Sequence, residues 1–87
     1  MQEKKTLKEI LSNEDNVSEV MIIWDMWDKP GSTNREQHNS GYIKKEDAIK
    51  KYGDFIYGHW YTSGYSEFGG FKADIWADNP NPYINAE

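Results

Sequence analysis

Gly70-Phe71-Lys72-Ala73-Asp74-Ile75-Trp76-Ala77-Asp78 alternates along its whole length. Phe71, Ala73, Ile75 and Ala77 fall on one side, and Lys72, Asp74, Trp76 and Asp78 on the other. Successive side chains of a β-strand point to opposite faces, so this pattern predicts a strand with one face in a core and one in water. If the Phe71–Ala77 side faces inward, Trp76 faces outward between Asp74 and Asp78. The run Asn79-Pro80-Asn81-Pro82 ends the strand, and residues 79–87 are expected to be a loose tail.

Upstream, Asp54-Phe55-Ile56-Tyr57-Gly58-His59-Trp60-Tyr61-Thr62 is rich in aromatic and β-branched residues and predicts another strand, joined to the last by a glycine-rich turn. Before it, Lys44–Gly53 (KKEDAIKKYG) predicts a helix: Glu46 and Asp47 sit in its first turn and Lys50 and Lys51 in its last, which suits the helix dipole. Tyr42-Ile43 is expected as a short strand. Residues 28–41 (DKPGSTNREQHNSG) contain no aliphatic or aromatic side chain and are expected to form a long polar loop. Val17–Trp27 (VSEVMIIWDMW) predicts the first strand, with Val20, Ile22, Trp24 and Met26 on one face. Thr6 followed by Glu9 has capping-box spacing, and Leu7, Ile10 and Leu11 form one stripe of a short helix behind a frayed segment at 1–5.

The order is therefore α-β-β-α-β-β: a small single α+β domain spanning 1–87, with a three- to four-stranded, mostly antiparallel sheet and two short helices on one face. The opposite face is expected to display Trp76 with its acidic neighbours and further aromatics from 54–62.

Composition narrows the function. A chain of 87 residues has little interior for an enclosed pocket. It has no cysteine, so no disulfide or thiolate metal site is available, which points to the reducing cytoplasm. The opening MQEKKTLKEILSN lacks the apolar run of a secretory signal, and no stretch approaches a membrane span. The formal charge is −5, unevenly placed: residues 52–87 hold one basic side chain against five acidic ones, along with ten of the thirteen aromatics. Binding phosphate backbones needs clustered Lys and Arg, so direct nucleic-acid binding is not expected.

No catalytic motif stands out. Ser63 lies in Thr-Ser-Gly rather than a nucleophile elbow, and no phosphate-binding glycine loop occurs. His38 and His59 lack ligand spacing, so neither a metal nor any other cofactor is expected. The distinctive feature is the aromatic load, four Trp and six Tyr, of residue types that dominate binding hot spots. Asp74, Trp76, Asp78, Trp60, Tyr57, Asp54, Trp27 and Asp28 are the candidate partner-binding residues. Such a surface suits a basic, grooved protein, with carboxylates standing where that protein expects phosphates.

The stretch Leu7-Lys8-Glu9-Ile10-Leu11, the strand entering Trp24-Asp25, and a helix ending in Tyr52-Gly53-Asp54 before two further strands together resemble the small accessory proteins of phages and mobile elements in Gram-positive bacteria. The likeness covers the layout of residues 6–78; the long polar loop and the tryptophan excess depart from it. It implies a phage context, in which small acidic proteins are often inhibitors of host enzymes or defence systems, anti-CRISPR proteins among them. No functional residue carries over, because the group shares no common activity. The expectation is thus a non-enzymatic inhibitor, monomeric or homodimeric, that occupies the nucleic-acid groove of a host nuclease or defence complex. The alternatives are a sponge for nucleotide signals, which stacks bases on Trp and Tyr, and a toxin-neutralising immunity protein.

Overall fold

The computed structural model describes residues 5–84. Its elements run α1 (Leu7–Ser12), β1 (Val17–Trp27), β2 (Arg35–Lys44), α2 (Lys45–Tyr52), β3 (Ile56–Tyr65) and β4 (Phe71–Asp78). The described strands form one sheet in the order β2-β1-β4-β3. The β1–β2 and β3–β4 pairs are antiparallel hairpins, and β1 and β4 run parallel in the centre. The α+β class and the order of elements agree with the sequence reading.

The parallel centre follows from the connection between hairpins. From β2 to β3 the chain must cross three strand spacings, about 14 Å. The eight residues of α2 supply about 12 Å of rise, and Gly53–Phe55 complete the crossing. Both helices lie on one face. Leu7 and Leu11 of α1 and Ala48 of α2 are fully buried against Val20 and Ile22 of β1 and Ala73 and Ile75 of β4. Trp24, Tyr52 and Phe55 close one end of this core, with ring centroids 5.2–5.3 Å apart.

A six-residue helix has no stability of its own in water. α1 persists because it is tied at its start and buried along one stripe. Thr6 is its N-cap, with Oγ1 accepting from Glu9 N–H at 3.3 Å. The Leu7 and Lys8 amides donate to the carbonyls of Phe55 and Gly53.

Two expectations are corrected. Residues 35–41 are strand, not loop: β2 begins at Arg35, and only 28–34 connect the hairpin. An edge strand needs ladder hydrogen bonds rather than apolar side chains, and the long β1 offers partners out to Trp27↔Arg35. A bulge interrupts the ladder where Ser40 and Gly41 together oppose Ile22. Gly41 takes the left-handed φ of 66° that the bulge requires, and the Ile22 amide donates to Ser40 Oγ at 2.9 Å. The tail is also bonded. Beyond the last β1–β4 pair, Pro82–Ile84 run beside the end of β1: Trp27 N–H donates to Pro82 O at 2.7 Å, and Ile84 N–H to Trp27 O at 2.8 Å. At the other terminus, the Lys5 carbonyl accepts from Tyr57 N–H. The rest of the expected tails, 1–4 and 85–87, lies outside the described residues. Among the described residues no helix is long and apolar enough to cross a membrane.

If α1 is held by its buried stripe, Leu11→Ala should destabilise the domain by about 2–5 kcal/mol through the cavity it opens. A urea midpoint lowered accordingly would bear this out, and a midpoint unchanged within error would refute it.

Candidate functional site

The core takes Ala73, Ile75 and Ala77, so the pleat of β4 turns Lys72, Asp74, Trp76 and Asp78 to the opposite face. No described element covers that face. Register places Glu19, Met21, Ile23, Asp25 and Trp27 of β1 there, and Arg35, Gln37, Asn39, Tyr42 and Lys44 of β2. From β3 come His59 and Tyr61, not Tyr57 and Trp60.

That exchange has a local cause. Gly58 forms a bulge between Tyr57↔Ala77 and His59↔Trp76, which resets the alternation of β3. A Cβ at Gly58 would lie 2.8 Å from the Trp76 carbonyl oxygen, so the close approach requires glycine. Tyr57 and Trp60 consequently pack against the core.

The open face divides into two halves. Towards the C-terminal ends of β1 and β4 lies an aromatic platform. The His59 ring stacks on Trp76 with centroids 5.1 Å apart and planes within 5°. Tyr61, 60% exposed, stands edge-on to both rings at 5.5 Å. Ile23, in register with Trp76, is buried although no helix lies above it.

Towards the N-terminal ends lies a polar strap. Tyr42 reaches from the edge strand across β1, and its hydroxyl lies 2.5 Å from an Asp74 carboxylate oxygen and 3.0 Å from Ser63 Oγ. With one proton to give, the phenol donates to the carboxylate and accepts from the serine. Lys72 Nζ sits 4.8 Å above the centre of the Tyr42 ring. The hydrogen bond to Asp74 raises the Tyr42 pKa above its ordinary 10.0, because ionisation would set phenolate against carboxylate.

The expected site residues therefore separate. Asp74, Trp76 and Asp78 share the open face, and Trp27 lies at its far end beside the Pro82–Ile84 segment. Tyr57 and Trp60 belong to the helix side. Asp54 lies in the turn after α2, and Asp28 in the β1–β2 connection. The charge picture also changes. Lys44, Lys72 and Arg35 stand among Glu19, Asp25, Asp74 and Asp78, so the open face is mixed rather than uniformly negative. Arg35 lies 3.9 Å from Asp25, and Asp78 makes no ion pair or hydrogen bond that involves another described side chain.

Among the described residues no group of three or more His, Asp or Glu could hold a metal ion. Among the described residues an open hollow lies against α1, lined by Thr6, Glu9, Ile10 and Asn13, away from the aromatic face. No protein-family model, curated protein or solved structure matches this chain.

The strap has a pH signature. Because the folded-state pKa of Tyr42 is raised, its contribution to stability is complete below the unfolded value near 10 and is lost as pH climbs through the folded value. Phenolate absorbance should show a late component that vanishes in Tyr42→Phe and moves to lower pH in Asp74→Asn. Identical titration curves for the three proteins would remove the strap.

Proposed function

We propose that this chain is a non-enzymatic protein-binding module that docks on its partner through the open sheet face. In the setting its layout suggests, it serves a phage or mobile element in the host cytoplasm. There it inhibits a host nuclease or defence complex by occupying a basic nucleic-acid-binding surface.

The observation that carries this reading is the platform of half-buried Trp76 with exposed His59 and Tyr61, on a face that no described element covers. Rings locked against one another lose little side-chain freedom on binding, so their burial contributes more of its full value to affinity. Indole and phenol groups are also the side chains most often found at hot spots. The preference for a basic partner rests on the acidic balance of residues 52–87 and on Asp78 beside the platform. The mixed charge elsewhere on the face narrows that complementarity to the platform end. A nucleotide sponge would need an enclosing pocket, and the open hollow against α1 lends it no support.

The test is direct binding of the purified protein to host nucleases and defence complexes at low and moderate salt. Trp76→Ala should weaken the complex by about 2 kcal/mol or more, roughly thirtyfold, with circular dichroism unchanged. Absence of binding to every candidate would overturn the proposal. Undiminished affinity in a folded Trp76→Ala protein would move the interface elsewhere.

A further inference from the structure

The polar strap is a worked instance of a three-part arrangement: an aromatic ring, a carboxylate bonded beside it, and a cation over the ring face. Tyr42, Asp74 and Lys72 supply the parts, all from one chain. A second cation lies over a ring at the same end of the sheet, Lys44 Nζ 5.0 Å from the centre of Phe68. The platform repeats two of the parts. Trp76 is the ring, and Asp78, two residues and about 7 Å on along the backbone of β4, carries a carboxylate on the same face. Among the described residues, the cations of the open face are engaged elsewhere. Lys72 and Lys44 lie over Tyr42 and Phe68, and Arg35 lies near Asp25.

We infer that the platform takes an arginine side chain of the partner, its guanidinium flat on the exposed Tyr61 ring beside Trp76 and its N–H groups directed to Asp78. The inference rests on the docking reading and names the group recognised there. A planar, weakly hydrated cation fits better than an ammonium, because it stacks on a ring while its edge donors reach a carboxylate in the same plane. An apolar side chain would use the rings but leave Asp78 desolvated without a counter-charge.

Titrating the full chain at low salt with the peptides acetyl-Gly-Arg-Gly-amide, its lysine analogue and its norleucine analogue tests this. The readout is the NMR shift of the Trp76 indole N–H and of the His59 and Tyr61 ring protons. The arginine peptide should bind about two- to five-fold more tightly than either analogue, the range expected for an exposed cation over a ring. Trp76→Ala should abolish the effect on the remaining ring signals and Asp78→Asn should reduce it, while Lys72→Ala should leave it in place. Equal effects of arginine and norleucine, or of arginine and lysine, would overturn the guanidinium assignment. So would an unchanged response in Asp78→Asn, or a short single-stranded oligonucleotide moving the same signals at lower concentration than the peptide. The two readings fail separately. A host protein that binds through Trp76 while the arginine peptide does not leaves docking intact and removes the arginine. A peptide that binds as stated while no host protein does leaves the arginine site and removes the inhibitor.

Discussion

Two helices of six and eight residues can roof only one side of a four-stranded sheet, and everything else about this molecule answers to that shortage. The roofed side takes the aliphatic residues of β1 and β4 together with Leu7, Leu11 and Ala48. The pleat then leaves no choice over the other side. Whatever alternates with Ala73, Ile75 and Ala77 must meet water, and β4 places Trp76 there between two carboxylates. A large ring in that position needs support, which His59 and Tyr61 provide by packing against it.

The unroofed side is organised by cross-strand side-chain contacts in place of a second layer. Tyr42 joins an edge strand to the far hairpin through Asp74 and Ser63, and Lys72 closes over its ring. Cross-strand pairs of this kind contribute a fraction of a kcal/mol each, so their effect is on the orientation of the strands more than on the depth of the native well. A fixed orientation matters because the spacing of the rings beside the strap follows the twist of the sheet beneath them.

The fold was legible where one physical signal dominated. The alternation of 71–78, the apolar run of 17–27 and the Thr6–Glu9 cap each had one reading, and the elements lie where those readings put them. Residues 35–41 and 82–84 depart from the pattern of their side chains for a shared reason. Both are held by main-chain hydrogen bonds to β1, and main-chain bonding leaves no mark on side-chain polarity. At the site, the outward placement of Asp74, Trp76 and Asp78 was legible, but the partner rings from β3 were not. Simple alternation from Phe55 would put Tyr57, His59 and Tyr61 together and Trp60 apart from them. Gly58 shifts the phase so that Tyr57 leaves this set for the core side. A glycine amid aromatic residues was the available clue to that bulge. Tyr42 carried no clue at all, since its partners lie 21 and 32 residues away.

The two outer strands expose backbone edges in a chain rich in β-formers, a recipe for stacking molecule on molecule into fibrils. Irregularity stands against it on each flank. The Ser40–Gly41 kink means that a strand added outside β2 meets two short ladders that do not line up. β3 is broken at Gly58 and Ser63, and its first residues are already engaged by Lys5 and Thr6. Growth from either flank would have to cross a mismatch, which works against one molecule templating the next.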